Sequence, residues 1–207
     1  HGFMVMLMAA GFAMLEAGMV RTKNVATMCV KNIALYSIAG ILYYAVGYNL
    51  MYQGVDGGFM GTFAPWGIDD SAMAKGDFSG NYSASSDWFF QMVFVATAAS
   101  IVSGTVAERI KLWPFLAFVV VLTGVIYPIQ GSWQWGGGWL AAVGFSDFAG
   151  ATLVHSTGGS AALAGALLLG SRTGRFDAKG IPKALQPFAA SSVPLVTLGV
   201  FVLWLGW

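Results

Sequence analysis

The stretch DFAGATLVHSTGGSAALAGALLLG, residues 147–170, holds one carboxylate, one imidazole and otherwise only apolar, small and hydroxyl side chains. From Phe148 to Gly170 it is long enough to cross a bilayer as a helix, which takes about 20 residues for roughly 30 Å of hydrocarbon. Asp147 stands just before the apolar run, where a carboxylate can cap a first helical turn and face the positive end of the helix dipole. His155 follows it. On a regular helix, a spacing of about 1.5 Å per residue places the imidazole roughly 12 Å deeper than Asp147 and about 80° around the axis, close to the midplane. In a soluble core a lone buried histidine is usually a packing residue. In a bilayer the cost of burying a polar group makes the pair Asp147 and His155 a candidate site.

The rest of the chain is of the same kind. Of 207 residues, 57% are hydrophobic and 9% charged, where a soluble domain carries roughly a quarter charged residues, and the mean hydropathy is +0.70. This excludes a soluble protein, and a net charge of +1 offers no surface for nucleic acid. Six windows are apolar enough to span, near residues 3–20, 33–53, 88–107, 113–130, 148–170 and 188–207. The expected fold is an all-α polytopic membrane protein, one membrane domain over residues 1–207. The first window is no signal peptide, because Arg21 and Lys23 follow its apolar core and Glu16 lies within it. Pro114 suits the first turn of the fourth helix, whereas Pro194 predicts a break in the sixth that neighbouring helices must accommodate. The chain opens on His1 and stops at Trp207 inside an apolar run, so both ends read as cut.

Charge orders the loops. The first carries Arg21, Lys23 and Lys31, the third Arg109 and Lys111, and the fifth Arg172, Arg175, Lys179 and Lys183. The second holds Asp56, Asp69, Asp70, Asp77 and Asp87 against Lys75, and the fourth holds Asp147 and no basic residue. Basic loops stay in the cytoplasm, so the amino terminus is expected outside.

Other features have structural readings. Glu16 lies little more than a helical turn from Arg21 and can either reach the cytoplasmic boundary or pair with a neighbouring basic residue; Cys29, the one cysteine, reads as a small inert residue. Gly158, Gly159, Ala161, Ala162 and Gly165 suit close helix packing. Trp88, Phe89, Trp133 and Trp139 fall where aromatic rings anchor spans at the outer boundary. Phe90 and Phe94, four apart, share a helix face, and Trp135 precedes Gly136, Gly137 and Gly138, a run too flexible to be helical and suited to holding a ring over a pore mouth.

Four runs together resemble the ammonium transporter family, which includes the Rh proteins: GFAMLEAGMVRTKN at 11–24, FFQMVFVATAASIVSGTVAERIK at 89–111, WGGG at 135–138 and DFAGATLVHSTGG at 147–159. The likeness covers nearly the whole chain, in order. It implies the first five-helix inverted repeat plus the sixth helix of an eleven-helix fold, in a homotrimer with a pore in each subunit. It implies that Phe90, Phe94 and Trp135 form an outer recruitment site, with ring faces stabilising a cation that is losing water. Phe94 would also belong to the gate beneath, whose second phenylalanine lies past Trp207. Asp147 would be the buried acid that shapes the site and assists deprotonation. His155 would be the first of two stacked pore histidines, its partner in a second half that His1 cannot replace, with Ile101 lining the pore.

The implied function is ammonium transport across the inner (plasma) membrane: recruitment, deprotonation and conduction of ammonia through an apolar pore. The resemblance implies no enzyme activity, no cofactor and no metal, and it allows a cytoplasmic PII-type regulator as a partner. An ammonium-sensing receptor is the alternative, since some members carry a cytoplasmic signalling domain behind the same membrane fold. A haem ligand at His155 or a hydrolase built on His155 and Ser156 fits less well, because adjacent helical residues point about 100° apart. These 207 residues are not expected to fold alone, since a half pore would leave Asp147 and His155 facing lipid unless another copy or another chain covers them.

Overall fold

The computed structural model describes residues 1–65, 67, 69–77, 79, 82–176, 180–181 and 188–207. The regular elements among them are helical. Five helices are long and apolar enough to cross a membrane: α1 (Gly2–Met19), α2 (Thr22–Tyr52), α3 (Ala84–Thr105), α4 (Leu112–Ser132) and α5 (Ala151–Leu169). A shorter apolar helix, α6 (Val193–Gly206), closes the order.

Two of the expected boundaries are corrected. α2 begins at Thr22 rather than near residue 33, so Lys31 is not a loop residue; it lies inside the span, 2% exposed. α6 begins at Val193 rather than 188, with Pro194 in its first turn, where a missing N–H costs nothing, so Pro194 starts the helix and does not break it. The Ser192 hydroxyl accepts from the Leu195 amide to cap that turn. Lys179 and Lys183, assigned to the fifth loop, lie outside the described residues.

The most enclosed span is α3, which packs on α1, α2 and α5. Its start is fixed by polar groups from the preceding loop. The Ser83 hydroxyl accepts from the Ser86 amide, while the Asp70 carboxylate accepts from the Ala84 amide at 2.6 Å and from the Ser85 hydroxyl at 2.5 Å. Those bonds, chiefly the one from Ser85, hold the Asp70 carboxyl below its usual range.

Helices α1 and α6 make the largest helix–helix contact in the chain, and glycine permits it. A methyl group added at Gly11 would lie 2.5 Å from the Leu203 backbone nitrogen, and one at Gly199 would lie 2.6 Å from that of Leu15. With lipid as solvent, such backbone approach replaces hydrophobic burial as the source of attraction. On α5, Gly158 meets Ala98 and Ile101 of α3 and Gly165 meets Val106, but a methyl group added at Gly159 would meet nothing within 4 Å among the described residues.

Of the two readings of Glu16, the structure has the pairing, and the partner is the displaced Lys31. Glu16 Oε2 lies 3.7 Å from Lys31 Nζ and accepts from the Ser103 hydroxyl at 2.6 Å and the Asn32 amide at 3.2 Å. Cys29 is exposed on the outside of α2. Trp133 and Trp139 do more than border the spans: their rings pack 5.9 Å apart, tilted at 57°, and the Trp133 indole donates to the Phe59 carbonyl, tying the second loop down.

The first, third and fifth loops meet at one end of the bundle, around Glu108. Its Oε1 accepts from the Arg21 amide, the Arg21 guanidinium and the Asn24 side chain, and Oε2 lies 3.3 Å from Arg172. The residue sits at φ 62°, a left-handed conformation costly for anything but glycine. Arg109 beside it donates to the Gly170 carbonyl at the end of α5. Burial pushes the Glu108 carboxyl up, but the bonds from Arg21 and Asn24 outweigh this and leave it below its ordinary value. A carboxyl lowered on folding adds stability above its unfolded pKa, about 4.3, and loses it as pH falls through the folded value. Glu108→Gln should therefore lower the melting temperature at pH 7 and show a smaller further fall than the parent when unfolding is followed from pH 5 to pH 3.

Candidate functional site

The site is built where α5 starts. On a regular helix Asp147 and His155 would share one axis, but the helix begins only at Ala151, and Asp147 belongs to the loop before it. The expected offset of 12 Å and 80° is therefore replaced by a cap. Asp147 Oδ1 accepts from the amides of Gly150 and Ala151 at 2.8 and 3.0 Å, and Oδ2 from those of Thr152 and Leu153, both at 2.8 Å. Four otherwise unpaired N–H groups at the helix start are satisfied at once. A carboxylate has about four lone-pair positions, so Asp147 has none left over. It is 7% exposed, covered within the chain itself, which corrects the expectation that it would face lipid.

Chain direction at this point depends on Gly150, at φ 83°. A methyl group there would meet Val154 at 2.6 Å and the Trp135 ring at 3.2 Å, so glycine serves both the turn and the seat of the indole. The Trp135 indole N–H donates to the Asp147 carbonyl at 2.6 Å. From that anchor the rings run on to α3. Trp135 and Phe94 have centroids 5.7 Å apart at 68°, and Phe94 and Phe90 have centroids 5.1 Å apart at 76°, both edge-to-face. The three aromatic residues chosen from the sequence thus form one half-buried cluster spanning α3 and the loop after α4.

The first turn of α5, Ala151–Ser156, is a π-helix, a wide turn often found at functional positions. It brings His155 back over Gly150, whose carbonyl accepts from the Val154 amide at 2.8 Å and the His155 amide at 3.1 Å and lies 3.2 Å from His155 Nδ1. A carbonyl only accepts, so Nδ1 carries its hydrogen, and the neutral ring leaves Nε2 as the acceptor. The opposite assignment would set two acceptors against each other. Ile101 packs on Gly158, less than a turn beyond His155. Gly150 therefore links the two parts of the site: its Cα supports Trp135 and its carbonyl holds His155.

Trp207 is a site residue that sequence reasoning missed. Its ring lies flat on the His155 imidazole, with centroids 4.4 Å apart at 16°. Being only the last aromatic in an apolar run, it carries no local signal. Thr157 donates to Gln130 at 2.6 Å, tying the next turn of α5 to α4. On that side, an apolar groove of about 900 Å³ between α4 and α5 is lined by Thr152 and Ser156 but not by His155.

A multi-pass helical membrane protein with an aromatic cluster tied to the start of its fifth span is the class that this fold and site define. The sequence pattern of the Ammonium Transporter Family matches residues 1–207, and the chain belongs to that family. It is 42% identical over its full length to the ammonium transporter Amt2 of Archaeoglobus fulgidus, covering 44% of that protein. It is 45% identical over 99% of its length to a putative ammonium transporter of Synechocystis sp., covering 45%. Among solved structures, it matches one described as a sensor Amt protein, at TM-score 0.85 and 36% identity, over all of this chain and 50% of that one. It also matches Mep2 of Candida albicans at TM-score 0.79 and 28% identity, over all of this chain and 44% of that one. The chain spans about half the length of the relatives it matches.

Trp135→Phe keeps a ring against Phe94 but removes the bond to the Asp147 carbonyl. It should cost about 1 kcal/mol of stability, read from denaturant unfolding in detergent, and an unchanged midpoint would mean that the indole N–H is not what ties the loop.

Proposed function

We propose that this chain forms the first half of an ammonium transport pathway, and the observation that carries the reading is the edge-to-face row of Phe90, Phe94 and Trp135, tied through the Trp135 indole to the Asp147 loop, whose Gly150 carbonyl in turn meets His155. Ring faces attract a cation within about 6 Å and do so more strongly as water is lost. A bare ammonium ion in hydrocarbon is prohibitively costly, so it gives up its proton to water at the outer mouth and passes inward as neutral ammonia. Potassium has no proton to give, which separates two ions of similar size. Below the rings, Phe94 acts as one half of a gate, Ile101 supplies an apolar wall, and His155 Nε2 accepts a hydrogen bond from passing ammonia. Asp147, its lone pairs taken by four amides, acts as the anchor of the site and not as the proton acceptor.

The remaining assignments follow from family membership. The chain is the first inverted repeat and the sixth helix of an eleven-helix fold, with its amino terminus outside the cell membrane, in a homotrimer that a PII-type regulator contacts from the cytoplasm. The meeting of the basic first, third and fifth loops around Glu108 supports placing that end on the cytoplasmic side. A receptor reading has one observation in its favour, the likeness to a protein described as a sensor. A signalling domain behind the membrane part would decide for it.

His155→Ala in the full-length protein should abolish ammonium-dependent current in proteoliposomes or admit potassium; transport with unchanged rate and selectivity would sink the role given to His155.

A further inference from the structure

The described residues bury one ion pair between spans, and its surroundings have the composition of a ligand site. Glu16 of α1 is 4% exposed and Lys31 of α2 is 2% exposed. Lys31 Nζ has three hydrogens and three acceptors around it. It donates to the Ser103 carbonyl of α3 at 2.8 Å, lies 3.7 Å from Glu16 Oε2, and stands 4.9 Å from the centre of the Phe115 ring of α4. Ser103 and Asn32 hold Oε2 in place from the other side. Glu16 Oε1 is buried and accepts no hydrogen bond among the described residues.

We propose that Glu16, Ser103 and Phe115 form a binding site for a primary ammonium cation, and that the chain fills it with its own Lys31. A carboxylate, a carbonyl and a ring face satisfy each face of an R–NH3⁺ group; α1, α3 and α4 supply them and α2 supplies the cation, so four spans are joined at one point. This differs from an ordinary surface ion pair, in which two flexible groups meet in water and little is gained. Here, removal of the cation leaves a buried carboxylate without a counter-ion, its Oε2 held only by Ser103 and Asn32 and its Oε1 without a hydrogen bond among the described residues. The pocket then selects by chemistry. It takes a monovalent cation with N–H donors and a small apolar tail, and it rejects a quaternary ammonium ion, which cannot donate. The inference stands apart from the transport pathway, because no residue of the aromatic cluster or of α5 takes part in it.

Lys31→Ala deletes three methylene groups and the ammonium, the size of propylammonium, so propylammonium chloride is the matched probe. Thermal unfolding of the detergent-purified protein should show a lower melting temperature for Lys31→Ala than for the parent. Propylammonium should restore it saturably by a few degrees, while tetramethylammonium chloride at equal ionic strength should not. The parent should show no such response, and Glu16→Gln/Lys31→Ala should lose it. If Lys31→Ala cannot be purified folded without amine, extraction in propylammonium should recover it. The proposal is overturned if Lys31→Ala responds no more than the parent, if the double variant responds equally, if tetramethylammonium works as well, or if extraction in amine recovers nothing. Transport assays play no part in these readouts, so a failure here leaves the pathway reading untouched, and the reverse also holds.

Discussion

Asp147 gives each of its carboxylate oxygens to two backbone amides, and the geometry of the fifth span descends from that arrangement. A helix starting within a bilayer has no water to satisfy its first N–H groups, and each one left unpaired is costly. One side chain meets the whole requirement. Because it does so from a loop, the chain must turn sharply at Gly150, and that turn decides where everything else lies. The Asp147 carbonyl is left pointing at the Trp135 indole, and the Gly150 carbonyl is left accepting from the wide turn that carries His155. The same carboxylate is thereby unsuited to proton transfer, since its lone pairs are committed to the backbone.

The other polar groups of the chain obey the same constraint by different means. Glu16 and Lys31 meet inside the spans and are bridged by Ser103; Glu108 gathers Arg21, Asn24 and Arg172 where three loops converge, at the expense of a left-handed backbone. Between these points the helices are held mainly by close contact of small residues, as at Gly11 against Leu203 and Gly158 against Ile101. Polar groups thus fix register, and glycines allow the approach. The aromatic cluster rests on this frame and adds to it, since each ring meets the next edge to face.

Hydropathy alone located the spans, because burial in lipid is dictated residue by residue. It failed where a charge finds its partner on another helix. Lys31 reads as a loop residue until Glu16 and Ser103 are beside it, and nothing in the local sequence of α2 reveals them. Pro194 reads as a break until the helix is seen to start one residue before it. The site divides in the same way. A spacing of four put Phe90 and Phe94 on one face but reads by itself as ordinary packing. Their place in the site, like that of Trp135, came from the family likeness, whereas Asp147 and His155 stood out by type and depth. Gly150 and Trp207 were not legible. Gly150 matters through a backbone angle, and Trp207 through a stacking contact across 52 residues of chain.

Amide hydrogen exchange of the protein in detergent or nanodiscs tests the central claim most directly, comparing the parent with Asp147→Asn. The cap predicts slow exchange at Gly150, Ala151, Thr152 and Leu153 in the parent, and much faster exchange in the variant at the two amides whose acceptor oxygen becomes an amide nitrogen. Equal protection at all four positions in both proteins would contradict it, because the start of the fifth span would then not depend on the carboxylate.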